Sequence, residues 1–210
     1  RYKIPIPSGF VIITTAFEQY IKNNNLITKI DDILFSTNYE NKESIKKASA
    51  KLKRLISRSV ISNKLENEIL KSFDKLEVNH VAVRSTVALT NPKHHKWAKD
   101  LDFCNNIQKK DILNTIKKSW AALYSINSLN YRYKNGLIKQ NLSVAIIIQT
   151  TVKASISGLC YTINPKTFNK KEILITASYG LKQGISNNLV KADSYFINKN
   201  KARFNILKKK

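Results

Sequence analysis

Ser143-Val144-Ala145-Ile146-Ile147-Ile148-Gln149-Thr150-Thr151-Val152, Ser157-Gly158-Leu159-Cys160-Tyr161-Thr162-Ile163-Asn164-Pro165 and Glu172-Ile173-Leu174-Ile175-Thr176-Ala177-Ser178-Tyr179-Gly180-Leu181 are the three segments that decide the fold. Each is rich in β-branched or aromatic residues, and polar turns separate them. The first is apolar at consecutive positions, which predicts a central strand covered on two sides. It ends at Gln149, whose amide brings a donor and an acceptor to an apolar strand end. Asn164-Pro165 stops the second, because proline cannot donate to a ladder and holds its predecessor extended. Gly180 permits a turn with positive φ after the third. Together they predict the central sheet of one domain, with a ligand at its edge.

Working outward, residues 10–13 read as a buried strand after the extended entry Ile4-Pro5-Ile6-Pro7-Ser8-Gly9. Thr15-Ala16-Phe17-Glu18 has the spacing of a capping box, and a helix is expected from it to about Asn24. Helical periodicity continues through residues 27–35, 40–57 and 62–76. Residues 78–86 then predict a strand that carries Arg84 into a hydroxyl-bearing tip. Arg84 is either a surface cation or a fork onto a phosphate, with Ser85 and Thr86 donating beside it. Residues 91–106, with His94, His95 and Trp97, are the least regular stretch. His94 and His95 lack carboxylate or thiol partners at ligand spacing, so they read as loop rather than a metal site. Residues 111–132 predict a helix or helix pair with Ile112, Ile116, Trp120, Leu123 and Tyr124 as the inward stripe. Lys208-Lys209-Lys210 reads as a frayed end.

Composition bounds the function. The chain has 210 residues, enough for one substantial core or one core with a helical annex. Lys and Arg number 37 against 14 Asp and Glu, a net charge of +23 that attracts polyanions of any kind. The lysines are scattered rather than gathered in one block, so much of the charge reads as solvated surface. Cys104 and Cys160 form no metal or redox spacing. No apolar run reaches membrane-spanning length and the N-terminus has no signal-peptide pattern, so the expectation is a cytoplasmic protein without a membrane partner. The sequence contains no methionine, and a piece of a longer polypeptide is expected.

Seven motifs occur in one order: Pro5-Ile6-Pro7-Ser8-Gly9-Phe10 through Phe17, Val81-Ala82-Val83-Arg84-Ser85, Ser119-Trp120-Ala121-Ala122-Leu123-Tyr124, Tyr131-Arg132, Ile148-Gln149, Ser157-Gly158 to Pro165, and Tyr179-Gly180-Leu181. In order and spacing the chain resembles the N-terminal nucleotide-binding domain of phosphoenolpyruvate synthase, pyruvate phosphate dikinase and rifampicin phosphotransferase, over essentially its whole length. The resemblance implies an α/β (α+β), ATP-grasp-like fold with a mixed sheet flanked by helices, in which a nucleotide lies between a small subdomain and a larger sheet. Residues 1–210 are then a partial domain, truncated at both ends, with the main sheet and nucleotide cleft in 78–200 and a mostly helical subregion in 15–76. It also implies an ATP-dependent phosphotransferase that phosphorylates a histidine on a separate swivelling domain, which serves an acceptor-substrate domain of the same polypeptide. Position by position, Arg84 resembles the arginine that holds ATP phosphates and Gln149 the hinge residue beside the adenine. Thr162, Asn164 and Pro165 match the strand that lines the cleft. The implied cofactors are ATP and Mg²⁺.

The chain also departs from the family pattern. The loop that closes over the phosphates corresponds to His95-Lys96-Trp97-Ala98-Lys99, which has no glycine. The Gly-Leu-Gly-Glu element reads Gly180-Leu181-Lys182-Gln183, and the acid common before it is Thr176. Glu172 and Asp193 are the acids left near the motifs and read as surface or turn residues, so the metal carboxylates are expected outside this chain and the isolated chain is expected to be inactive. Two other readings stand beside this one. One is a catalytically degenerate relative acting as an interaction or regulatory module; the other is a non-specific polyanion or nucleic-acid binder, disfavoured because no stacking motif accompanies the basic residues.

Overall fold

A computed structural model describes residues 5–88, 103–180, 191–199 and 206–209. The chain divides into two compact units, Arg1–Thr151 and Val152–Lys210.

In the first unit the elements run β1 (Gly9–Ile12), α1 (Thr14–Asn23), α2 (Ile27–Phe35), α3 (Lys42–Arg58), α4 (Asn63–Asp74), β2 (Val81–Ala88), β3 (Phe103–Ile107), α5 (Ile112–Ala121), α6 (Ile126–Lys134) and β4 (Ser143–Thr150). The sheet order is β1-β4-β2-β3, and every pairing is antiparallel. Strand alternation turns Val144, Ile146 and Ile148 of β4 toward the helices, all fully buried beside Val81 and Val83 of β2. Trp120 of α5 is likewise fully buried and packs on Phe17 and Tyr20 of α1, with ring centroids 5.7 and 4.7 Å away. The rest of the inward stripe, Ile112, Ile116, Leu123 and Tyr124, is buried with it. Two buried hydrogen bonds fasten α3 into this layer. Tyr20 donates its hydroxyl to the Ile56 carbonyl at 2.5 Å, and Ser49 donates to the Tyr124 carbonyl at 2.8 Å. Polar caps set the helix starts, with Asn41 accepting from the Glu43 and Ser44 amides at α3 and Ser125 accepting from the Ser128 amide at α6.

Arg132 secures the segment that leads from α6 into β4. It is 2% exposed, and its guanidinium donates to the carbonyls of Leu137, Ile138 and Gln140 at 3.4, 3.1 and 3.3 Å. It also lies over the Tyr124 ring, 5.8 Å from the centroid. Burial lowers its pKa, opposed by the nearby Tyr124, Tyr39 and Asp31.

The second unit is a meander, β5 (Ile156–Tyr161), β6 (Glu172–Tyr179), β7 (Asp193–Asn198) and β8 (Ile206–Lys209), antiparallel throughout and paired in chain order.

The class is therefore α+β, but several expectations change. A single main sheet over residues 78–200 is replaced by two four-stranded sheets. A strand has two hydrogen-bonding edges, and those of β4 are taken by β1 and β2, so β5 and β6 cannot join it. The expected mixed sheet is absent among the described residues. β1 and β2 do run the same way, but β4 separates them and pairs antiparallel with both. β4 is buried on its helix side only, since Ala145, Ile147 and Gln149 are half-buried. The capping box does not form. α1 begins at Thr14 with Ile13 at its N-cap position and no side-chain cap, while the Glu18 carboxylate accepts from Ser143 Oγ at 2.6 Å. A tertiary partner has outcompeted the local one. Finally, Lys208 and Lys209 of the supposed frayed end belong to β8, which pairs with β7.

Candidate functional site

The face of the first sheet turned away from the helices brings the first two predicted site residues together. Register fixes its rows. Gly9, Gln149 and Ala82 stand side by side across β1, β4 and β2, and the next row is Val11, Ile147 and Arg84. Ala145 and Thr86 follow. Residues directly paired in antiparallel strands project to the same side, so Arg84 and Gln149 share this face on adjacent strands, one row apart, about 7 Å along the diagonal. Arg84 is exposed and Gln149 half-buried. The Gln149 amide makes no hydrogen bond among the described residues, which leaves its donor and acceptor for a ligand. Gly9, Val11, Ala82, Ala145 and Ile147 share the face with them, and Phe103 of β3 pairs with Arg84.

Alternation corrects one part of the expected phosphate fork. Ser85 pairs with Ile146 and lies on the helix side, whereas Thr86 pairs with Ala145 and lies beside Arg84. Two consecutive hydroxyls on a strand cannot both reach one ligand.

Thr162 and Asn164 belong to the second unit. The strand expected to contain them ends at Tyr161, and both residues sit in the connection from β5 to β6. Asn164 is 2% exposed, and its amide is consumed by that turn. Nδ2 donates to Glu172 Oε2 at 2.9 Å, while Oδ1 accepts from the Lys166 and Thr167 amides at 3.0 and 3.4 Å. The Phe168 amide closes the turn on the Asn164 carbonyl at 2.8 Å. Glu172 is thus a turn partner, and Asp193 is an exposed residue at the start of β7. Thr162 is exposed, and its hydroxyl makes no hydrogen bond among the described residues.

In the sequence, Gly9 reads only as part of a turn; its position opposite Gln149 comes from the β1–β4 register. His94, His95, the 95–99 loop and Leu181-Lys182-Gln183 lie outside the described residues. Among the described residues, no group of three or more His, Cys, Asp or Glu side chains could hold a metal ion, neither Cys104 nor Cys160 is in a disulfide, and no helix is long and apolar enough to cross a membrane. The outer face thus presents an amide and a cation on neighbouring strands, beside aliphatic residues.

Comparison with known proteins places the chain in a family. The family model described as pyruvate phosphate dikinase, AMP/ATP-binding domain, matches residues 1–210. A probable phosphoenolpyruvate synthase of Methanocaldococcus jannaschii is 28% identical over 204 residues, covering 93% of this chain and 17% of that protein. A rifampicin phosphotransferase of Bacillus cereus is 30% identical over 194 residues, covering 91% of this chain and 22% of that protein. A probable phosphoenolpyruvate synthase of Archaeoglobus fulgidus is 27% identical over 215 residues, covering 99% and 28%. The chain thus spans less than a third of the length of these relatives.

Proposed function

The chain belongs to the pyruvate phosphate dikinase AMP/ATP-binding domain family, and on that premise we propose that the outer face of its first sheet binds ATP, with Arg84 at the phosphates and Gln149 at the adenine. The observation that carries this reading is their projection to one side from adjacent strands, one row apart. A guanidinium makes charge-assisted hydrogen bonds to phosphate oxygens that no neutral donor matches. A carboxamide can both donate to and accept from the edge of a purine. On the resemblance alone, Thr162 and Asn164 are also proposed as nucleotide-binding residues, Asn164 by holding its turn and Thr162 through its hydroxyl.

In the longer polypeptide the proposed reaction moves the terminal phosphoryl group of ATP to a histidine of a swivelling domain, which carries it to an acceptor site. The architecture proposed for the whole domain is of the ATP-grasp type. Such transfer depends on positioning and charge neutralisation, and Mg²⁺ supplies neutralisation when bound. Its carboxylates are proposed to lie mainly outside this chain, because the acids of the family motifs are missing here, and the isolated chain is proposed to bind nucleotide without turning it over.

Titrating ATP and adenosine into the full-length protein tests the assignment. Arg84→Ala is expected to weaken ATP about tenfold or more while leaving adenosine nearly unchanged. Gln149→Leu is expected to weaken both alike. An Arg84→Ala protein that loses both ligands equally, or neither, rejects the phosphate role.

A further inference from the structure

Helix α3 carries a second feature, independent of the nucleotide face. Its core side, Ile45, Leu52 and Ile56, is fully or almost fully buried, which fixes the rotation of the helix. Lys47, Lys51, Arg54 and Arg58 recur at intervals of four, three and four, so they form one exposed stripe about 16 Å long. The stripe borders two adjoining depressions along α2 and α3, of about 390 and 650 Å³, with Ile33 and Lys51 lining both; together they are termed the α2–α3 groove. Lys29 of α2 adds a fifth cation, against the carboxylates of Asp32 and Glu43. Glu43 is itself 3.9 Å from Lys46. None of the five groove cations forms an ion pair or side-chain hydrogen bond among the described residues.

Other polar groups in the groove are already engaged. Ser36 Oγ donates to the Asp32 carbonyl at 2.6 Å and Thr37 Oγ1 to the Ile33 carbonyl at 2.6 Å, while Ser44 Oγ accepts from the Asn38 amide at 3.0 Å. What remains for a partner is a row of cations beside the aliphatic surface of Ile33 and Leu55. No aromatic residue lines either depression, so unstacked bases find no platform. The four-three-four spacing is the repeat of a helix face. A second helix lying alongside has the same pitch and can meet every cation with a carboxylate at matching intervals, while its aliphatic residues cover the floor.

We propose that the α2–α3 groove is a docking site for an acidic amphipathic helix of a partner protein, whose carboxylates at three- and four-residue spacing pair with Lys47, Lys51, Arg54 and Arg58 and whose aliphatic side chains pack on Ile33 and Leu55. The site is distinct in place and chemistry from the Arg84–Gln149 face. Its cations are exposed, so the pairing sets specificity and on-rate and the aliphatic contact holds the helix once docked.

The test uses a fluorescently labelled helical peptide of about 18 residues, with Glu and Leu in that stripe, and a scrambled isomer that spreads the same residues round the helix. Binding to the full-length protein is measured by polarisation. The striped peptide is expected to bind about fivefold or more tighter than the scrambled one. Lys51→Glu with Arg54→Glu is expected to weaken it about tenfold or more, whereas Lys64→Glu with Lys71→Glu on α4, the same change in net charge, is expected to alter it less than about threefold. Circular dichroism checks that both variants fold. Equal binding of the two peptides, or equal weakening by both charge reversals, overturns the proposal in favour of diffuse attraction. An oligothymidine that outcompetes the striped peptide and loses binding in the Lys51→Glu/Arg54→Glu protein overturns it in favour of nucleic acid.

Discussion

Gly9 stands directly across from Gln149 in the β1–β4 ladder, and a Cβ at position 9 would run into the Ile148 carbonyl oxygen while lying 3.0 Å from Gln149 Cγ. The obstacle is backbone, which cannot rotate away as a side-chain end could. The glycine therefore serves close approach, letting β1 sit against β4 without displacing Gln149.

Gly9→Ala is accordingly expected to push edge strand β1 away from β4 and to cost on the order of 1–3 kcal/mol, read from the denaturant midpoint. If Gln149 contacts the base, the same variant weakens ATP and adenosine together. Unchanged stability in the Gly9→Ala protein would show that β1 can shift without strain.

Stability above neutral pH is expected to report on the helical layer. Burial raises the Tyr20 pKa from its ordinary value of 10.0 to about 12, partly offset by the neighbouring Ser59. Burial likewise raises Tyr124 to about 12, with Arg132 opposing. A folded-state pKa above the unfolded value means the contribution is fully present below pH 10 and is lost as pH rises from about 10 through about 12. Tyr20→Phe removes one such group together with its hydrogen bond to the Ile56 carbonyl, so it is expected to cost about 1 kcal/mol at pH 7. Its alkaline loss should be shallower than that of the wild type, because lysine titration is common to both. Parallel alkaline limbs would contradict the linkage.

In the second unit, Asn164→Asp exchanges the Nδ2 donor to Glu172 for a carboxylate facing a carboxylate, while keeping an oxygen to accept from the Lys166 and Thr167 amides. It is expected to cost about 1–3 kcal/mol, seen as faster amide exchange in β5 and β6. Asn164→Asp with Glu172→Gln restores a donor–acceptor pair and is expected to recover most of that loss. A double variant as unstable as the single one would show that the amide–carboxylate bond does not hold the turn.

Local pattern carries most of the elements. The helix expected over residues 27–35 is α2 with the same bounds, because its apolar spacing coincides with its burial of Ile30 and Leu34. The five expected strands all form, each within a few residues of its expected bounds. β3, β7 and β8 are not foreseen in the sequence. β3 carries Asn105 and Asn106, β7 starts at an exposed Asp193, and β8 ends in lysines, so none displays the apolar alternation that marks a strand by itself. Their partners make them strands.

For the candidate site, residue identity is legible and arrangement is not. Arg84 and Gln149 can be singled out from the motifs, because a cation and an amide in apolar segments are chemically conspicuous. Their common face depends on the register of β2 against β4, and register is set by two segments some sixty residues apart in the chain. The same register sends Ser85 to the other side. Asn164 shows the converse, since a side chain singled out for ligand contact spends its amide on its own turn.

The amino-acid sequence by itself determined the family, the helical segments and five of the strands, the buried stripe around Trp120 and the strongly basic charge, because each follows from residue types and their local spacing. Only the tertiary structure decided that the strands divide into two antiparallel sheets, that β4 is covered on one side alone, and that four scattered-looking cations of α3 line one groove. Hydrogen-bonding edges and buried faces are limited resources shared among distant segments, and which segment takes them is settled by the competition among all of them at once.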